Sequence, residues 1–201
     1  SDVKAFSLAR RSIDSRKKDN IFLVYSVDIE TDLNEENIVA PFPTNKAMVT
    51  EKYNYQIPEA KRNFKLRPVV VGFGPAGMFA ALVLAKAGLR PIVLERGGAV
   101  DERTASVDKF WTERKLDTES NVQFGEGGAG TFSDGKLTTG IKDPRCREVF
   151  LRFAEFGAPE EILYSATPHI GTDKLPRIIS NICKTITERG GKVLFESRVS
   201  G

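Results

Sequence analysis

The sequence predicts an α/β fold, a Rossmann-like parallel-sheet domain preceded by a small α+β module. Three observations predict it. An apolar run enters a glycine cluster in "VVVGFGPAGMFAALVLAKAGLRPIVLERG", residues 69–97. A helix-like segment and a second apolar run, ending at Glu95, follow without a break. Near the end, an amphipathic segment again leads into an apolar run. Strand, helix, strand, excursion, helix, strand is the grammar of a parallel sheet with crossover helices.

The elements follow in chain order. Residues 4–18 read as a helix, with Phe6, Ala9 and Ile13 on one face and Arg10, Arg11 and Arg16 elsewhere. "IFLVYSVDIE" reads as a strand, with Ile21, Leu23, Tyr25, Val27 and Ile29 on one side. Its other side changes from Phe22 and Val24 to Ser26, Asp28 and Glu30, so partial cover is expected. Pro41, Pro43, Pro58 and Pro68 mark a connector with short extended pieces. Residues 1–60 are thus the α+β module and linker, and residues 61–201 the Rossmann-like domain. Residues 101–116 read as a helix carrying Val107, Phe110, Trp111 and Leu116, with Phe110 and Trp111 expected in the core. A glycine-rich loop spans 123–140, and a helix follows around Arg145 to Phe156. A last helix runs from Asp173 to Arg189, capped by Thr172 or Asp173 and stopped by Gly190-Gly191. A strand, Val193 to Val199, closes the pattern.

Composition narrows the function classes. Thirty basic against 27 acidic side chains leave a net charge of +3, too balanced to argue for nucleic acid. The basic run Arg10, Arg11, Arg16, Lys17, Lys18 is interrupted by Asp14, and helical spacing would scatter it. No apolar stretch approaches the ~20 residues that span a bilayer. Cys146 and Cys183 form no metal or redox motif, and no metal site is expected. A cytoplasmic setting fits this cysteine usage best.

Gly72, Gly74 and Gly77 form G-x-G-x-x-G between a strand and a helix. In that setting the first glycine allows the turn, the second lets backbone approach a pyrophosphate, and the third lets helix and strand pack closely. The helix start, with Pro75 and Ala76, offers free N–H groups and a partial positive charge to phosphates. Glu95 falls 18 residues after Gly77, where an acid can bind a ribose hydroxyl. An acid there favours an unphosphorylated ribose, as in NAD or the adenosine half of FAD.

Gly125, Gly127, Gly128, Gly130 and Gly135 crowd the second loop. "GTFSDGK", Gly130 to Lys136, approaches a nucleoside-triphosphate loop. However, Leu137 stands where Ser or Thr would hold magnesium, and no apolar strand leads into it. A flavin accounts for the loop better, since its backbone N–H groups can cradle the ribityl-phosphate side. A flexible surface loop is the plain alternative.

Together with "NVQFGEGGAGTFSDGKL" and "PHIGTDKLPRII", the opening stretch resembles the uncharacterised FAD-dependent dehydrogenases called FAD-dependent protein C, of the glutathione-reductase-like flavoprotein fold. "RRSIDSRKKDNIFLVYSVDIE" resembles their small N-terminal module. The resemblance implies an FAD-binding oxidoreductase acting by hydride or electron transfer on a small-molecule substrate, with NADH or NADPH as a candidate electron donor. It places Gly72, Gly74 and Gly77, with Pro75 and Ala76, at the pyrophosphate, and Glu95 with Arg96 at the adenosine ribose. It places Gly128, Ala129, Gly130 and Thr131 beside the flavin, and Val199 beside the adenine. The C-x-x-x-x-C pair of flavin disulfide reductases is missing, which disfavours thiol-relay chemistry. The resemblance also implies a longer protein, with this part alone inactive and the catalytic residues elsewhere. Two other readings stand beside it, a non-catalytic nucleotide-binding or interaction module and a P-loop-like NTP hydrolase.

Other residues are open to two readings each. His169 is either a proton carrier or a structural turn histidine. Lys136 is either a positive charge beside the flavin or a solvated loop lysine. Cys183, with Ile179, Ile182 and Ile186, reads as a packed thiol.

Overall fold

The computed structural model describes residues 2–51, 53–57 and 64–200. It is a mixed α/β structure with a two-stranded antiparallel ribbon and a three-stranded parallel sheet. The boundary expected between residues 60 and 61 lies outside the described residues.

The ribbon corrects the first expectation. Residues 4–18 are not helical; β1 (Val3–Lys17) pairs antiparallel with β2 (Asn20–Thr31). The register pairs Phe6 with Ile29, Leu8 with Val27 and Ile13 with Leu23. It shifts between Val3 and Ala5, between Leu8 and Arg10 and again between Asp14 and Lys17. Each shift adds a residue to β1 and breaks strict alternation, so the apolar residues take on three- and four-residue spacings that imitate a helix. Cross-strand pairing then decides the matter, because it satisfies backbone and side chains together. The basic run is accordingly placed by the ribbon rather than by a helix. Arg11 pairs with Glu161 and stacks over Tyr164, and Arg16 pairs with Asp14.

The connector holds a short helix, α1 (Glu35–Val39), that its prolines did not advertise. Asn34 caps it, its side chain accepting from the Asn37 N–H at 2.9 Å.

The parallel sheet follows the predicted order. β3 (Val69–Val71) pairs with β4 (Ile92–Leu94), and β4 with β5 (Lys192–Leu194), all parallel. The helix α2 (Pro75–Lys86) connects β3 to β4 and ends near Gly88, whose φ of +77° suits a residue without a Cβ. The helix α5 (Leu175–Glu188) precedes β5. Between them lie α3 (Val100–Glu113) and α4 (Arg145–Glu155), with 3₁₀ turns at Gly128–Phe132 and Glu160–Leu163. Helices α2 and α5 pack on one side of the sheet, burying Met78, Ala81, Leu82 and Ala85 against Ile178, Ile179, Ile182 and Ile186. Phe153, Phe156 and Ile162 complete that core.

Three details depart from expectation. The residue preceding α5 is Lys174, with no side-chain cap, so neither Thr172 nor Asp173 plays that part. Trp111 is 58% exposed, because Val100, Arg103 and Val107 take the buried face of α3. β5 is three residues long, since the chain after Leu194 turns to the loops: the Glu196 N–H donates to Gly97 O and that of Ser197 to Glu95 O.

Candidate functional site

At the carboxyl end of β3 the chain makes its first glycine turn. The Gly72 N–H still donates to Leu94 O at 2.8 Å, and its φ of +91° swings the chain off the sheet. Gly77 packs so closely that a Cβ there would overlap the carbonyl oxygen of Gly72. Gly74 is different. It has an ordinary φ of −72°, and a Cβ would meet only Gly128 Cα, at 3.8 Å. Pro75 opens α2 and, with Ala76, is exposed. No acceptor among the described residues meets the N–H groups of Gly74, Ala76 and Gly77. They add to the positive end of the α2 dipole.

Glu95, at the end of β4, is buried, and its carboxylate accepts three backbone N–H groups. Oε2 takes Phe73 N at 2.6 Å; Oε1 takes Gly97 N at 3.0 Å and Gly125 N at 2.9 Å. A carboxylate has about four acceptor positions, so one remains for a further donor such as a hydroxyl. Glu95 therefore ties the first glycine turn to the second loop.

That second loop is packed rather than loose, with Gly125, Gly127, Gly128 and Thr131 buried. Gly127 N donates to Phe73 O at 2.9 Å, so Phe73 is gripped through both its backbone groups. A Cβ on Gly97 would fall 2.5 Å from Gly125 Cα, and one on Gly128 2.9 Å from Gly74 Cα. Gly130 lies near Pro75, while Ala129 is exposed. The two predicted cofactor segments are thus brought together, Gly72–Gly77 against Gly128–Thr131.

The residue that holds this loop was not singled out from sequence. Arg103 has no exposed surface and donates four hydrogen bonds: to Asn121 O at 2.7 Å, Val122 O at 2.8 Å, Glu126 O at 2.7 Å and Thr131 Oγ1 at 3.0 Å. Its guanidinium also lies over Phe132, 4.9 Å from the ring centre. Burial pulls its pKa down to about 10, opposed by the charges of Glu95 and Glu126. Glu126 is buried too and accepts from Val100 N at 2.8 Å, capping α3. Burial raises its pKa. The Cys183 thiol, against Glu126, is pushed up to about 12, first by burial and then by that carboxylate. The signal for Arg103 was present: it shares a helical face with Val100 and Val107, an odd place for a cation without buried acceptors.

Arg96 sits beside the site. It stacks on Phe124, 4.0 Å from the ring centre, and pairs with Glu119 at 3.0 Å; Arg198 reaches the same carboxylate at 3.2 Å. Val199 follows and is exposed. Lys136 and His169 form an isolated antiparallel bridge, and Asp134 pairs with Lys136 at 2.9 Å. The carboxyl of Asp134 is held low chiefly by Lys136. Lys136 is largely solvated and Gly130 follows no strand, so the context of a nucleoside-triphosphate loop is missing around these described residues.

Compared with known protein families, the chain matches none. It is 47% identical over 200 residues to an uncharacterized protein of Clostridium beijerinckii. That alignment takes in 98% of this chain, and the chain spans 37% of the length of the curated relative. Among the described residues, no helix is long and apolar enough to cross a membrane, and no group of His, Cys, Asp and Glu is placed to hold a metal ion.

Proposed function

We propose that this chain is the FAD-binding part of a Rossmann-like oxidoreductase that acts on a small molecule, with NADH or NADPH as candidate reductant. The observation that carries the reading is the meeting of the two glycine segments beside open amide groups. Gly74 and Gly128 lie backbone to backbone, and the N–H groups of Gly74, Ala76 and Gly77 have no acceptor among the described residues. Such a turn suits a pyrophosphate, because a second glycine without side chain leaves the phosphate oxygens room to reach amides. Glu95, with one acceptor position left, suits a ribose hydroxyl. Arg96, its guanidinium over the Phe124 ring, and the chain near Val199 would lie on the adenosine side. Ala129 and Gly130 suit the ribityl side.

When bound, the flavin would supply the hydride or electron transfer. This chain's residues hold and orient. Arg103 fixes the second loop through the carbonyls of Asn121, Val122 and Glu126 and the hydroxyl of Thr131, so the ends of the Gly128–Thr131 turn are held before binding. Glu95 fixes the first turn as an acceptor, taking the N–H groups of Phe73, Gly97 and Gly125. No described residue is assigned a catalytic role.

The test is to purify the full-length Clostridium relative and identify any small molecule released on denaturation. FAD, with flavin bleaching on mixing with NADH or NADPH, supports the reading. A colourless protein that takes up neither FAD nor ADP in calorimetry overturns it. Bound FAD that no reductant bleaches would favour a non-catalytic nucleotide-binding module instead.

A further inference from the structure

One side of the β1–β2 ribbon is an uncovered apolar surface. Phe6 stands opposite Ile29, Leu8 opposite Val27 and Ile13 opposite Leu23; Tyr25 lies in the same row opposite Arg11, whose guanidinium reaches Glu161 and Tyr164. Phe6 is 78% exposed, Ile13 68% and Leu23 57%. A two-stranded ribbon is marginal in water by itself, and a contiguous apolar area on one side of it is normally covered. The ribbon meets the remaining structure along the edge of β1. There Arg11 N donates to Tyr164 O at 2.7 Å and Arg11 O accepts from Ala166 N at 2.9 Å. Edge pairing of that kind leaves most of the face bare, with only Leu8 and Arg11 of the row half-buried beside it.

We infer that this face is the seat of a further layer of polypeptide of the kind that lies, in the Clostridium relative, outside the 200 residues the two share. Two observations choose this occupant over a second copy of the chain. The alignment takes in 37% of that relative, which leaves 63% (100 − 37) to supply further layers. A second, separate apolar surface is also bare: Val69 and Val71 are 57% and 65% exposed, on the side of the parallel sheet away from α2 and α5. All-parallel sheets are covered on both faces. A two-fold dimer uses one self-complementary patch and would leave one of these two surfaces open. Longer polypeptide can cover both. The occupant's chemistry follows from the row of Phe6, Leu8, Ile13, Leu23, Val27 and Ile29. It is an amphipathic element with an aliphatic side laid on the ribbon, in the two-layer manner of α+β structures. The inference does not depend on the flavin reading.

The experiment compares the 201-residue chain with the full-length Clostridium protein. In this chain, Leu23→Lys with Val27→Lys is expected to lower the melting temperature by only about 4 °C or less, because only cross-strand contacts with Ile13 and Leu8 are lost on an open face. In the full-length protein, lysines at the two aligned positions are expected to lower it by about 10 °C or more, as buried charges do. Hydrogen exchange needs no variant. The segment aligned with β2 should exchange at least about tenfold more slowly in the full-length protein than in the short chain, while α2 and α5 stay protected in both, with light scattering reporting a monomer. Equal exchange in both proteins overturns the inference. Protection that appears only in a concentration-dependent dimer overturns it as well, and makes a second copy the occupant.

Discussion

Gly128 lies against Gly74 so closely that a Cβ on Gly128 would stand 2.9 Å from Gly74 Cα and 3.3 Å from Pro75 Cδ. The contact is asymmetric. Gly128 has a φ of +63° and no room, whereas Gly74 has an ordinary φ and ordinary clearance. Stability and ligand approach can therefore be separated at neighbouring glycines.

Gly74→Ala is expected to fold normally, with a stability loss below about 1 kcal/mol, the scale of an altered N-cap. Its affinity for FAD or ADP should nevertheless fall by about tenfold or more, since the added methyl sits where phosphate would approach. Gly77→Ala is expected to lose about 1–3 kcal/mol or more without any ligand, because its methyl meets the Gly72 carbonyl. Thermal unfolding and calorimetric titration of both variants check the pair. A Gly74→Ala protein that binds like the parent would remove the pyrophosphate assignment.

Arg103→Met leaves three loop carbonyls, of Asn121, Val122 and Glu126, without their buried donor. The expected loss is about 3–5 kcal/mol, as when one partner is removed from a buried charged network. Arg103→Lys should recover only part of it, since an ammonium cannot span acceptors arranged around a planar fork. Denaturant melts of the two variants read this directly; equal stability of parent and Met variant would show that the loop stands without its clamp.

Glu126 gives a pH signature. Burial raises its folded-state pKa above the ordinary 4.5, so between those values the folded protein binds more protons than the unfolded chain. Stability from this group therefore falls as pH rises through that window and is regained on acidification. Glu126→Gln removes the slope while keeping an acceptor for Val100 N. The variant should gain on the parent at neutral pH and converge with it in acid. A melting difference that stays constant from pH 4 to pH 8 would contradict the raised pKa.

Cys183 is expected to resist alkylation. With its thiol pushed up to about 12, only about one molecule in ten thousand carries the thiolate at pH 8. Iodoacetamide should leave Cys183 unmodified in the folded protein and label it after unfolding, as mass spectrometry of its peptide would show.

The sequence alone determined the strand–turn–helix–strand unit from Val69 to Glu95, the helix around Arg145 to Phe156 and the stop at Gly190. Each is encoded locally, by glycine positions and by apolar period within a dozen or so residues. It also picked out the two glycine segments that the fold brings together, because glycines clustered where backbone must pass close to backbone. Only tertiary structure decided the rest. The ribbon of residues 3–31 depends on cross-strand partners and on three register shifts that disguise the period of β1. The role of Glu95 as a three-way backbone acceptor depends on Phe73, Gly97 and Gly125 converging from three places in the chain. Arg103 is the clearest case: a cation on an apolar helical face has meaning only once the carbonyls of Asn121, Val122 and Glu126 are folded around it, and that convergence is long-range.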